Sequence, residues 1–331
     1  MIKAGITRAG NGRQIRPDEL RRVAGPRVSI IIPAYNAGAF IGDAITSALN
    51  QTFADLEVIV VDDASSDGTL DLAHCFARQD ERVVVLANKA RQGPAGARNE
   101  ALRRARAPWL ALLDADDRFA RERLATLVPA AEKRGCDFLA DNLVLRPNDG
   151  GAHSLAFSPS LMSRPQALTL RDFILQDAWP EPSARPLGFS KPIFRHEFVR
   201  AHGLQYDLKA FVGQDFVFYF KAIAAGARFC LTPEPLYEFA VGHASHSTGL
   251  PALQEIASAN ARLIHEAGGA EPLIQSALRT RQAKMQFEIF RAHLRRKDAL
   301  MAMSTLLEVP AHFTMMKLAA ALRRRLLGLA V

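Results

Sequence analysis

Glu57-Val58-Ile59-Val60-Val61-Asp62-Asp63 is a β-branched run that ends in two acids. Its four central apolar residues leave no polar face. Such a run predicts a strand buried on both sides, as in a parallel sheet covered by helices. The same pattern lies upstream in Val28-Ser29-Ile30-Ile31-Ile32, which Pro33 stops, and a helical stretch follows over residues 39–50. Downstream, Ser65-Ser66-Asp67-Gly68-Thr69 reads as a turn and helix cap, with a helix to about residue 79 and a strand over 82–86. A helix over 94–106 leads to a strand over 109–113 that ends in Asp114-Ala115-Asp116-Asp117. Another helix to about residue 134 and a strand over 137–140 complete the series. Strands and helices alternating at this spacing predict an α/β fold with a mostly parallel central sheet and helices on both faces.

The regions outside this core read differently. Residues 1–26 form a basic arm with Arg8, Arg13, Arg16, Arg21 and Arg22 among Gly and Pro. Residues 27–145 hold the strand-helix series, 146–250 are rich in Pro, Ser and polar residues with helices near 196–202 and 215–225, and 251–331 form a helical C-terminal extension. The 331 residues are 49% hydrophobic and 23% charged, which excludes a disordered or collagen-like chain. Cys75, Cys136 and Cys230 contain no CxxC pair, so a zinc knuckle is not expected. No apolar run is long enough for a bilayer span, and no apolar segment follows the first basic residues as a secretory signal requires. A cytoplasmic protein is therefore expected. The formal net charge of +8 leaves anionic lipid, phosphorylated ligands or nucleic acid open, and nothing beyond that charge supports nucleic acid.

The acids after the strands carry the chemistry. In an open parallel sheet, ligands gather outside the carboxyl ends of the strands. Asp62-Asp63 and Asp114-Ala115-Asp116 both fall there. The D-x-D spacing lets alternate side chains point the same way, since strand side chains repeat every two residues, and carboxylate oxygens suit Mg²⁺ or Mn²⁺. A solvated loop or a helix cap would use the same residues.

Five stretches together resemble glycosyltransferase family 2, the inverting family with the Rossmann-like GT-A fold. They are Val28–Asn36, Ser47–Phe53, Glu57–Ser65, Gly93–Asn99 and Leu113–Asp117, with a weaker match through Gly213-Gln214-Asp215 to Tyr237. The resemblance implies a metal-dependent hexosyltransferase using a nucleotide-sugar donor. Pro33, Tyr35 and Asn36 would line the nucleotide pocket, Asp63 would accept a hydrogen bond from the base, and Arg98 would lie beside the base or phosphates. Asp114 would approach the ribose or the metal, and Asp116 would ligate Mn²⁺ or Mg²⁺. Asp215 falls where the family carries its catalytic base, although Gln214 stands where an acid usually precedes it. His243 lies where some relatives carry a His or Arg near the diphosphate.

The segment 137–237, with Phe189-Ser190-Lys191-Pro192-Ile193-Phe194, further resembles bacterial exopolysaccharide glucosyltransferases of the succinoglycan type. That implies UDP-glucose as donor and a lipid-linked oligosaccharide as acceptor. Met315, Leu318, Leu322, Leu326 and Leu329 fall near one helical face beside Lys317 and Arg323–Arg325, which fits a peripheral helix on the inner membrane or a helix docked on the core. Rival classes are weaker. A receiver-type module does not explain the second acidic cluster, no Gly-rich phosphate loop supports a nucleotidyltransferase, and no GxGxxG follows a strand as a Rossmann dehydrogenase requires. A catalytically inactive sugar-nucleotide binder shares every feature except the use of Asp215.

Overall fold

The computed structural model describes residues 25–178, 185–242 and 249–310. In chain order the elements begin with β1 (Val28–Ala34), α1 (Ile41–Leu49), β2 (Leu56–Asp62), α2 (Thr69–Gln79), β3 (Val83–Ala87), α3 (Gly93–Arg104), β4 (Trp109–Leu112), β5 (Arg118–Phe119) and α4 (Arg123–Arg134). They continue with β6 (Phe138–Pro147), β7 (Ser154–Leu155), α5 (Pro159–Met162), α6 (Leu170–Ala178), a 3₁₀ turn (Leu187–Phe189), β8 (Ile193–Arg195) and α7 (His196–Ala201). The last are α8 (Gln214–Ala224), β9 (Phe229–Val241), α9 (Gly249–Glu266), α10 (Pro272–Arg295) and α11 (Ala299–Glu308). Two compact units interleave along the chain. The first takes the residues up to Asp141, then Lys191–Gly203 and Glu234–Phe239, and the second takes the rest.

The first unit is built on a sheet in the order β3-β2-β1-β4-β8-β6-β9-β5. β1 runs parallel to both β2 and β4, and β2 parallel to β3. Every residue of β2 is buried, as its unbroken apolar run requires. Glu57, at the amino end of β2, is buried too. Its Oε1 accepts from the Ser29 hydroxyl at 2.7 Å, and its Oε2 takes the Arg106 guanidinium at 2.8 Å. The chain winds outward from β1 through β2 to β3, then returns to place β4 on the other side of β1. That reversal makes the carboxyl ends of β1 and β4 a topological switch point, the place where open α/β sheets hold ligands.

The far side of the sheet is antiparallel: β8 pairs with β4 and β6, and β5 pairs with β9. The expected strand at 137–140 is the start of the ten-residue β6. β8 and β9 come from segments whose Pro-rich composition hid them. In the second unit, α6 occupies part of the stretch expected to be irregular. It buries Phe173, Ile174 and Ala178 on one face, and the Thr169 hydroxyl accepts from the Asp172 N–H at 3.1 Å in its first turn. The C-terminal extension is helical through α9, α10 and α11. Among the described residues no helix is long and apolar enough to cross a membrane. The basic arm through residue 24, Trp179–Pro182, His243 and the basic-apolar segment from Ala311 lie outside the described residues.

Candidate nucleotide-sugar and metal site

The carboxyl ends of β1 and β2 are joined by side chains. Pro33 lies within β1 beside Val61, Ala34 ends the strand, and Tyr35 and Asn36 follow in the loop. Asn36 adopts φ +49°, a left-handed conformation that Asn tolerates through local hydrogen bonding. Its N–H donates to the Ser65 hydroxyl at 3.0 Å, and its side-chain oxygen accepts from the Ser66 N–H at 2.9 Å. Asp67 adds a second tie, accepting from the Gly38 N–H at 3.0 Å and the Thr69 N–H at 3.0 Å. The Thr69 hydroxyl hydrogen bond is the largest cause holding the Asp67 carboxyl below its usual value, against a smaller opposing effect of burial. Tyr35 is 38% exposed, with the Arg91 guanidinium 3.8 Å from its ring centroid. A cation over an aromatic face makes a flat platform.

Asp63 has a different setting. One carboxylate oxygen accepts from the Asn88 side chain at 2.8 Å and the Gln92 N–H at 2.9 Å; the other accepts from the Gly93 N–H at 2.7 Å. Buried Asp63 thus anchors the loop after β3 and the start of α3, where a negative charge suits the helix dipole. Three of about four acceptor positions on the carboxylate are filled by the protein.

Asp114 sits just past β4. Its Oδ1 takes the Arg98 guanidinium at 2.8 Å and its Oδ2 takes the Lys191 ammonium at 2.9 Å. Burial alone would raise this carboxyl, but the charges of Lys191 and Arg98 outweigh burial and hold it far below the usual carboxylate range. Both oxygens are therefore engaged by cationic side chains.

The D-x-D geometry also differs from the strand alternation expected of it. β4 ends at Leu112, and the Asp117 N–H donates to the Asp114 carbonyl at 3.0 Å, closing a turn over residues 114–117. The half-buried Asp116 lies on that turn, as does the buried Asp117. Tyr237 from β9 clamps it. The Tyr237 hydroxyl donates to Asp117 Oδ2 at 2.6 Å and accepts from the Asp114 N–H at 3.1 Å. Burial first, then the charges of Asp117 and Asp114, push the Tyr237 phenol well above its usual range, so it stays protonated and able to donate.

A buried ion pair backs the turn. Arg123 and Asp141 are both fully buried and meet in a two-pronged contact at 2.9 and 2.7 Å. The Arg123 guanidinium also donates to the Lys191 carbonyl and lies 4.3 Å from the Phe119 ring centroid. Lys191, Tyr237, Asp117, Arg123 and Asp141 were not singled out as site residues from the sequence. Lys191 and Tyr237 carried one signal: each ends or interrupts a stretch that the family resemblance already covered.

The residues present suit a hard divalent cation in one respect. Asp116 offers carboxylate oxygen, the donor that Mg²⁺ and Mn²⁺ prefer, and such ions commonly use one or two carboxylates together with substrate phosphates. Among the described residues, no group of three or more His, Cys, Asp or Glu side chains is gathered for a metal.

Asp215 belongs to the second unit. It occupies the first turn of α8, whose N-cap is Gly213 at φ +76°. Gln214 is buried, and its side-chain oxygen has no hydrogen-bond partner. Behind α8, Arg281 lies over the Phe216 ring at 3.5 Å and pairs with the buried Asp177 at 2.7 Å. His243, the remaining expected site residue, lies outside the described residues.

Comparisons with known proteins agree with this architecture. The chain is 35% identical over 222 residues to the succinoglycan biosynthesis protein ExoO of Rhizobium meliloti, covering 67% of this chain and 63% of that one. It thus spans less than two thirds of that relative's length. Over 122 residues it is 38% identical to WfgD of Escherichia coli, a UDP-Glc:alpha-D-GlcNAc-diphosphoundecaprenol beta-1,3-glucosyltransferase, covering 37% of this chain and 47% of that one. Among solved structures it is similar to the mannosyltransferase PcManGT of Pyrobaculum calidifontis in complex with GDP-Man and Mn²⁺, with a TM-score of 0.59 and 22% identity over 91% of this chain and 87% of that one. The model of glycosyl transferase family 2 matches residues 29–194, half of the sequence. With its sheet, its acidic turn and that match in agreement, the chain belongs to glycosyl transferase family 2 and has the GT-A fold.

Proposed function

We propose that this protein is an inverting glycosyltransferase of glycan biosynthesis that moves a hexose, glucose from UDP-glucose, to a lipid-linked oligosaccharide. The single observation that carries the reading is the clamped acidic turn at the β1–β4 switch point. There Asp114 is paired with Arg98 and Lys191, and Asp116, two residues on in the same turn, is the carboxylate assigned to a cation and a diphosphate. The names of ExoO and WfgD support the glycan class, and WfgD's name supports the UDP-glucose donor and the lipid-linked acceptor.

In this reading Tyr35 and Arg91 give the base a face to stack on. Arg98 and Lys191 keep Asp114 ionised and able to accept from ribose hydroxyls. Asp215 takes the proton from the acceptor hydroxyl as general base. The hydroxyl oxygen attacks the anomeric carbon opposite the diphosphate, the bond to the diphosphate breaks, and the configuration inverts. A Mn²⁺ or Mg²⁺ ion held by Asp116 and the diphosphate oxygens would supply Lewis acidity that offsets the leaving-group charge.

Calorimetric titration of UDP and UDP-glucose with and without Mn²⁺, followed by UDP-release assays with a diphosphoundecaprenol-linked acceptor, tests this. Wild type should bind UDP-glucose in a Mn²⁺-dependent manner. Asp116→Ala should lose that dependence. Asp215→Asn should keep donor binding and lose turnover by about 10²-fold or more. Absence of nucleotide binding by wild type sinks the whole reading. Donor binding without turnover by wild type would instead favour the inactive binder, for which the replaced acid at Gln214 already argues.

A further inference from the structure

Helix α11 is built inside out for a helix at a protein surface. Its small residues Ala302 and Thr305, with Val309 one step beyond, are buried. These positions repeat at i, i+3 and i+7, the spacing of one helical face. The opposite face repeats at the same interval and carries the large apolar side chains: Leu300 is 82% exposed, Met303 60% and Leu307 82%. Met301 flanks this face, and Leu294, at the end of α10, is exposed close to it in the chain. Single exposed leucines are ordinary, but Leu300, Met303 and Leu307 stand exposed together on one face, opposite Ala302 and Thr305, and such a row presents a face shaped for contact.

The turn entering this helix indicates the chemistry of the contact. Arg295, Arg296 and Lys297 are three consecutive exposed cations, and they make no ion pair among the described residues. The acids nearby are already engaged: Asp298 caps α11 by accepting from the Met301 N–H at 3.1 Å, and Glu308 accepts from the Gln286 side chain at 3.2 Å. The face thus combines flexible apolar side chains with an unneutralised cationic turn. A second protein surface would need its own acidic patch beside an apolar one. An anionic bilayer offers both at once, with charged headgroups above an acyl interior.

We infer that the α10–α11 turn and the outer face of α11 dock on an anionic membrane surface, with Leu300, Met303 and Leu307 entering the headgroup boundary and Arg295–Lys297 meeting lipid phosphates. This surface shares no residue with the proposed donor site, so it can be tested without turnover. The test is flotation of the full chain with vesicles of 30:70 phosphatidylglycerol:phosphatidylcholine (roughly the charge density of an anionic leaflet), compared with pure phosphatidylcholine. Wild type should float with the anionic vesicles, less so in high salt. Leu300→Asp/Leu307→Asp should weaken partitioning about tenfold or more, while its melting temperature matches wild type because both side chains are exposed. Arg296→Glu/Lys297→Glu should weaken it on anionic vesicles only. Equal flotation of the leucine variant overturns the inference. So does a large loss of melting temperature in that variant, which would show the face is packed against the protein's own chain. A wild-type dimer that the variant dissociates, with no flotation of either, also overturns it and assigns the face to a second copy.

Discussion

Tyr237 has one hydroxyl and uses it in two directions, toward Asp117 and from the Asp114 N–H. Neither contact touches a substrate, so Tyr237 positions the turn that presents Asp116. Removing a hydrogen bond to a buried carboxylate costs about 1.5–3 kcal/mol when the partner is left unsatisfied. Tyr237→Phe should therefore bind Mn²⁺ and UDP together about tenfold more weakly, read as the Mn²⁺ concentration for half-maximal UDP binding, with an unchanged KM for acceptor. Equal Mn²⁺ dependence would reduce Tyr237 to a packing residue. At this scale the sequence was informative where one residue type has one use. Asp116 stood out as a carboxylate after a predicted strand, and Arg98 through the family resemblance that gave both of them roles. Asp117 did not, since nothing in its neighbours announces a tyrosine that arrives from another part of the chain.

Among the elements, α3 shows how the candidate site is framed by backbone. Its start, with Gly93 at φ +77° and Pro94 in the first turn, is tied to Asp63 through the Gly93 and Gln92 N–H groups. Gly96 sits one turn in, where an added Cβ would lie 2.4 Å from Gln92 Cβ. That neighbour is the root of a side chain and cannot swing aside, so the backbone must move. Gly96→Ala should lose about 1–3 kcal/mol of stability despite the better helix propensity of alanine, measured by urea unfolding. A variant as stable as its parent would show that the loop carrying Gln92 yields without cost. The parallel strands β1, β2, β3 and β4 were legible because each centres on three or more consecutive apolar residues. Of the antiparallel strands the start of β6 was legible too, but β8 and β9 were not: β8 is three residues long, and β9 contains Pro233 and Pro235, which composition alone assigns to loops.

Across the whole molecule, each unit keeps its own buried ionic network. In the first, Arg123–Asp141 stands behind Lys191. In the second, Arg281 pairs with Asp177, donates to the Asn260 side chain at 2.9 Å and covers Phe216, while Asp177 also accepts from the Gly188 N–H at 2.7 Å. Breaking a buried pair from one side strands a charge and costs about 3–5 kcal/mol. Arg281→Met should show that loss in chemical denaturation, and Arg281→Met/Asp177→Asn should recover part of it. A double variant no better than the single one would place the cost in lost packing on Phe216. These networks were hidden in the sequence because their members are separated by intervening elements, and only the fold brings them into register.

The clamp on the acidic turn has a temporal side. Tyr237 follows Asp117 by 120 residues. A ribosome therefore releases the acidic turn long before it releases the hydroxyl that fastens it. Nascent chains that have not yet reached β9 carry every carboxylate of the turn and lack its lock, so the turn takes its final form late in biosynthesis.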